Sequence, residues 1–269
     1  MARKKAGLTS SQIEKRFDKE QGIGTGKDYK SLYHTRETPL KTTNIKKPGW
    51  KTKRQHELWS YLTCMCFYLA EWSNSITDIR ENYLLLDLAD TQQIAKFLGI
   101  NHPYDPHTRE PIAMKTDFVF TVQKGFEVNL EARTVMPANN LNDIRTIETL
   151  EIERIYWARR KTSWGIITDR ELELHKVLIK NIELIHAYKD ITDRVTSASE
   201  KINKIAVLLT EELRASQDPL NKSALNMDSI YGFNQGDCLA IIKHLIANKR
   251  LPVDMTKPFN PDKKLLFMK

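Results

Sequence analysis

Seven side chains near the start of this 269-residue sequence, Lys27, Tyr29, Lys46, Lys47, Lys51, Lys53 and Arg54, are of the types that hold a nucleic-acid backbone. Cations meet the phosphates, and aromatic rings support a sugar or base beside them. Residues 1–54 carry 15 Lys+Arg against 5 Asp+Glu, net +10, whereas the remainder carries 27 against 29, net −2. The positive charge of the chain therefore sits in one N-terminal arm. That arm is rich in Gly, Lys, Ser and Thr, with Tyr29, Tyr33 and Trp50 interspersed, and its composition predicts a largely irregular segment. A solvated basic tail is the alternative reading of the same charge.

Two other chemistries are poorly served. Gly22-Ile23-Gly24-Thr25-Gly26-Lys27 has the look of a phosphate-binding loop, but no apolar strand precedes it and Lys27 is followed by Asp28 instead of Ser or Thr. The three cysteines, Cys64, Cys66 and Cys238, form no CxxC pair, and no histidine pair of zinc spacing stands near them. On a helix, Cys64 and Cys66 point about 200 degrees apart and cannot share a metal. They are expected to be reduced core thiols. No apolar run approaches the roughly 18 residues that span a bilayer, and the chain start lacks the apolar stretch of a secretory signal. A soluble, intracellular protein is expected.

The elements that must position these groups follow from periodicity. Leu58, Leu62, Met65, Cys66 and Leu69 recur at helical spacing and predict a helix over 55–72. Residues 76–86 read as a strand, then a polar insert carries Asp90-Thr91, His102-Pro103 and Pro106, and Thr116-Asp117-Phe118-Val119-Phe120 reads as a second strand. Gly125 marks a turn into a third strand, which Pro137 ends. Its alternation puts Phe126, Val128, Leu130, Ala132, Thr134 and Met136 on one face and Glu127, Asn129, Glu131 and Arg133 on the other. A charged helix over 145–160 and a short strand at 164–168 complete an α/β layer with a mixed sheet flanked by helices. Helical patterns then run over 172–188 and 200–213, a polar loop occupies 216–219, and Cys238 to Ile246 forms one more apolar helical face. With Val253-Asp254-Met255 as a short strand, the end of the chain suggests a small, mostly helical, winged-helix-like domain. The expected division is a basic arm over 1–54, an α/β domain over 55–170 and the helical domain over 171–269. The tail, Lys263 to Lys269, is either a docking peptide, apolar between lysines, or a strand that completes the last domain.

An ordered series of matches adds to this reading. Gly24-Thr25-Gly26-Lys27-Asp28-Tyr29, Glu71-Trp72 with Asp78-Ile79-Arg80-Glu81, Asp90 to Ala95, Gly99-Ile100 with His102-Pro103, Thr116-Asp117-Phe118, and Arg145-Thr146 with Leu150-Glu151, Glu153-Arg154 and Tyr156-Trp157 together resemble the TnsA family. These are the endonuclease subunits of heteromeric transposases of the Tn-seven type. The resemblance runs from about residue 22 to 190 and more weakly to the C-terminus. It implies a restriction-endonuclease-like fold that cuts the 5′ ends of a mobile element, with a TnsB-like recombinase, a TnsC-like ATPase regulator and DNA as partners, and no membrane.

Such a centre gathers acidic oxygens around Mg²⁺, and a lysine supports developing charge. The family pattern is a Glu on the first helix, an Asp opening a strand, and a Glu or Gln two residues before a Lys on the next strand. Carried over by position, Asp117 holds the aspartate site, whereas Thr63 replaces the helix glutamate and Thr134 and Met136 replace the strand pair. One of four groups remains, so little strand cleavage is expected and no cofactor; Mg²⁺ enters only if the nuclease is active. Asp117 has a plain structural alternative as a turn cap, and Met136 reads as core packing. The rival is an active, divergent endonuclease built on Glu131 and Arg133, with Glu57 or Glu127 as an extra ligand. Strand alternation opposes it, since Glu131 and Arg133 fall on the face opposite Thr134 and Met136. A third possibility is a scaffold reused in a phage or defence system.

Overall fold

Ser60 sets where the first long helix begins. In the computed structural model, residues 45–58 form a hairpin of β1 (Ile45–Pro48) and β2 (Gln55–Leu58), antiparallel to one another. Helix α1 starts only after it, at Tyr61–Trp72. The Ser60 hydroxyl accepts from the Thr63 backbone N–H while Thr63 Oγ1 accepts from the Ser60 N–H, a reciprocal capping box. The expectation of a helix from residue 55 is thus corrected, because the cap lies five residues later. The structure describes residue 16 and residues 21–31, 44–105, 108–192, 195 and 199–268.

Helix α1 is buried on nearly every side, through Thr63, Cys64, Met65, Cys66, Phe67, Tyr68, Ala70 and Glu71. An all-round apolar helix of this kind belongs inside a layered fold. Its two cysteines, though on different faces, are therefore both buried, with no disulfide between them.

The sheet runs in the order β3 (Ile76–Leu84), β4 (Lys115–Lys124), β5 (Glu127–Met136) and β6 (Ser163–Thr168). The first two junctions are antiparallel and β5 with β6 is parallel, so the sheet is mixed. The tight turn between β4 and β5 needs Gly125, whose φ is 61°. What was read as a polar insert between β3 and β4 contains helix α2 (Leu88–Leu98), capped by the Asp87 carboxylate and ended by Gly99 at φ 68°. Helix α3 (Ile144–Arg159) makes the crossover that a parallel pair requires. Ile94 and Ala95 of α2, Val119 and Ala132 of the sheet, and Ile152 and Tyr156 of α3 share one core. Asp90 of α2 also pairs with Arg159 of α3 and with Arg160, which follows it. A short helix, α4 (Asp169–Leu174), follows β6.

Cα packing divides the chain between Leu174 and His175. The second unit is helical: α5 (Lys176–His186), α6 (Ser199–Ala215), α7 (Leu220–Tyr231) and α8 (Asp237–Ala247). Helix α7 was not expected from the sequence. The α7–α8 turn is fixed by Asp228, whose carboxylate accepts from the Gly236 and Cys238 N–H groups. Buried Asn181 donates to the carbonyls of Met255 and Lys257 and accepts from Phe259 N–H, anchoring the C-terminal segment. Val253 bridges Phe267 in antiparallel fashion, flanked by Asp254 N–H to Leu266 O and Met268 N–H to Pro252 O. Of the two readings of the tail, the one that packs it onto the last domain is the nearer, through a single bridge and not a full strand. None of the described helices is long and apolar enough to cross a membrane.

Candidate functional site

The described residues of the arm, chiefly 21–31 and 44–54, include irregular backbone and strand β1 of the β1–β2 hairpin, and one buried carboxylate ties them to the sheet; most of the remaining arm lies outside the described residues. Glu81 of β3 accepts Arg54 Nη1 at 2.7 Å and Nη2 at 2.5 Å, and lies 2.7 Å from His56 Nδ1. His56 Nε2 is in turn 2.7 Å from Thr52 Oγ1. Burial opposes the charge on Glu81, but His56 and the Arg54 guanidinium outweigh it and hold the carboxyl at about 2. Tyr29 donates its hydroxyl to Glu81 O, and the Arg54 guanidinium lies over the Tyr29 ring. Trp50 is buried, its N–H donating to Glu71.

This geometry divides the seven residues expected to hold DNA. Tyr29 and Arg54 are taken up by the interior, because a buried ring and a guanidinium chelated by a carboxylate present nothing to a phosphate. Lys51 Nζ donates to Ser73 O, Lys46 pairs with Glu57, and Lys47 lies over the Tyr68 ring. Lys27 and Lys53 are exposed. Arg54 Nε donates to Gly26 O, which brings these two lysines to the same corner. Tyr33 lies outside the described residues.

Asp117 sits where the sheet opens. β3 and β4 pair at Glu81↔Phe118 and again at Tyr83↔Thr116, with Asn82 between them in the left-handed region at φ 49°. Asparagine tolerates that conformation better than most residues. The β4–β5 ladder ends at Phe118↔Arg133. Beyond it the Val135 N–H donates to Asp117 Oδ2 at 2.8 Å, while the Lys115 ammonium reaches Oδ1 at 2.5 Å. Asp117 is thus more than a turn cap: it ties β5 to β4 where the ladder stops.

The residues carried over from the family pattern have other tasks. Thr63 spends its side chain on the α1 cap, donating to Ser60 O at 2.8 Å. Thr134 donates to Glu153 Oε1 at 2.6 Å, as does Thr116, and Trp164 Nε1 donates to the same oxygen at 3.0 Å. Burial pushes the Glu153 carboxyl up to about 7; its three donors pull it down and the Asp117 charge adds to the rise. Met136 is half-buried at the end of β5. Cys66, one turn beyond Thr63, has its thiol pushed up to about 12 by burial, raised further by Asp117 and lowered by Arg133.

Glu131 and Arg133 form an ion pair at 2.5 Å, and Arg133 also donates to Ala132 O and Ser163 O. β5 keeps unbroken register with β6 from 131 to 136, so the expected alternation holds. Glu57 pairs with Lys46, and Glu127 stands exposed beside the turn at the far end of β5. Among the described residues, no group of three or more His, Cys, Asp or Glu side chains could hold a metal ion. Sequence reasoning missed Lys115 and the acceptor role of Glu153. The first was legible, since two residues before Asp117 is the same strand face; the second required knowing how α3 lies on the sheet.

A mixed four-stranded sheet flanked by helices, with an aspartate at the opening of its second strand, has the architecture of restriction-endonuclease-like proteins. Residues 73–169 match the family model of the TnsA-like endonuclease N terminal, and residues 173–255 match that of the TnsA endonuclease C terminal. The chain belongs to the TnsA family. It is similar to the Transposon Tn7 transposition protein TnsA of Escherichia coli, at 33% identity over 265 residues, covering 98% of this chain and 93% of that protein.

Proposed function

We propose that this chain is a DNA-holding subunit of a transposition complex whose nuclease centre does not cut. The observation that carries the reading is the state of Asp117, the one family ligand retained. Both of its oxygens are engaged by groups of the chain itself, and Thr63 and Thr134 direct their hydroxyls to Ser60 O and Glu153. These residues do not fit Mg²⁺, which demands several unencumbered oxygens in octahedral array. Met136 in place of a lysine removes the charge that supports a leaving oxygen; loss of one such group typically costs on the order of a hundredfold or more in rate.

Holding DNA falls to the exposed corner of Lys27 and Lys53, supported by Lys46 and Lys47, and docking on a TnsB-like recombinase and a TnsC-like ATPase falls to the C-terminal domain. Incubation with transposon-end DNA, a co-expressed recombinase subunit and Mg²⁺ or Mn²⁺ tests it, with Asp117→Ala as control. Metal-dependent nicking that vanishes in the control would sink the reading. The active alternative takes Arg133 as the cation and Glu131 as the carboxylate, a pair that the structure holds side by side at 2.5 Å. Arg133→Ala separates the two, because only the active reading makes nicking depend on it. A neighbouring recombinase or ATPase gene favours the transposition context over a scaffold reused in phage or defence.

A further inference from the structure

Lys115 decides what Asp117 binds. Positions 115 and 117 share a face of β4, and the Lys115 ammonium meets Asp117 Oδ1 at 2.5 Å. The same ammonium lies 4.7 Å from the centre of the Trp59 ring, which backs it from the segment between β2 and α1. Side-chain exposures of 25% for Lys115 and 15% for Asp117 withdraw the pair from bulk solvent, so salt screens it less than an open surface pair. The other carboxylate oxygen is filled by the Val135 N–H.

We infer that Lys115 is a tethered counter-ion, standing on Asp117 where a divalent cation would otherwise stand and keeping metal off the centre. This rests on the reading of the centre as one that does not cut, and deepens it. The presence of Thr63, Thr134 and Met136 in place of the family's charged groups accounts for weak metal holding; Lys115 accounts for the survival of a lone carboxylate. A half-buried carboxylate without a partner is costly, and the chain supplies that partner covalently. A metal approaching Oδ1 must displace the ammonium and leave it beside a dication, a like-charge arrangement that opposes binding. Folding and DNA binding then need no divalent ion.

Electron paramagnetic resonance of Mn²⁺ on the full chain reads this without any activity. K115S is expected to bind Mn²⁺ at least about tenfold more tightly than the unaltered protein, the gain is expected to disappear on adding D117N, and K115R, which keeps the charge, is expected to stay weak. K115M, which retains an alkyl stem over Trp59, serves if K115S loses its fold by circular dichroism. The same order is expected in T63E, where a second carboxylate completes the capping box. Equal Mn²⁺ affinity with and without Lys115, or a gain that survives D117N, overturns the inference alone. Asp117-dependent cleavage by the unaltered chain overturns both the inference and the reading beneath it.

Discussion

Replacing Glu153 by glutamine should change the pH dependence of stability more than stability itself. Glu153 is buried under α3 with Thr116, Thr134 and Trp164 donating to one oxygen, and its carboxyl titrates near 7 instead of 4.5. Between those values the folded state binds a proton that the unfolded state has released, so stability falls as pH rises. The group is at its most favourable below 4.5 and has lost its full contribution above 7. A shift of this size corresponds to about 3 kcal/mol at 1.36 kcal/mol per unit. Glutamine keeps the accepting oxygen and has no proton to lose, while its buried amide adds a cost that does not vary with pH. Urea unfolding followed by tryptophan fluorescence at pH 5, 6, 7 and 8 should therefore show Glu153→Gln gaining on the parent by up to about 3 kcal/mol across the series. All other titrating groups are common to both proteins and cancel. A stability difference that stays flat with pH would refute the buried-acid reasoning.

Arg54→Ala leaves Glu81 buried beside His56 alone and should cost about 3–5 kcal/mol in the melting of the first unit. The Glu81 contribution itself is present above about pH 4.5 and should be lost as pH falls toward 2, visible as acid unfolding that Glu81→Gln shifts. Tyr29→Phe should lower stability by about 1 kcal/mol through its lost bond to Glu81 O, with no change in the salt dependence of DNA binding. Lys27→Ala with Lys53→Ala should do the reverse, reducing the slope of log affinity against log salt by about 1 to 2 with an unchanged melting temperature. Thr63→Ala should cost about 1 kcal/mol as a lost helix cap, measured by thermal melting, and Thr63→Glu close to nothing.

The strands were the most readable part of the sequence. Apolar runs bounded by turn residues located β3, β4, β5 and β6 within a few residues, and the charged stretch over 145–160 located α3. Helix α2 was hidden because its polar face and Asp87 cap read as an insert, and α7 because a Pro-containing loop ran into a weakly amphipathic segment. Ser60 and Thr63 carried the capping signature that would have separated β2 from α1. The packing of the arm's described residues could not be read from composition, since Arg54 is neutralised by the Glu81 carboxylate and Tyr29 bonds the Glu81 carbonyl, and Glu81 lies 27 residues from the nearer of them. At the candidate site, position and residue type located Asp117 and the replaced neighbours. They could not show the open ladder at Asn82, or that Thr134 turns to Glu153, because both depend on how three strands and a helix meet.

Cleavage at the 5′ ends of the element by the purified chain is the most direct test of a centre that does not cut. Purified chain, supplied with a recombinase partner and transposon-end DNA, is incubated with Mg²⁺ and with Mn²⁺, and the 5′ ends of the element are mapped on a denaturing gel. The prediction is intact 5′ ends at all metal concentrations, with DNA retained by the protein in the presence of EDTA. Nicks at those ends that require metal and are abolished by Asp117→Ala would contradict it.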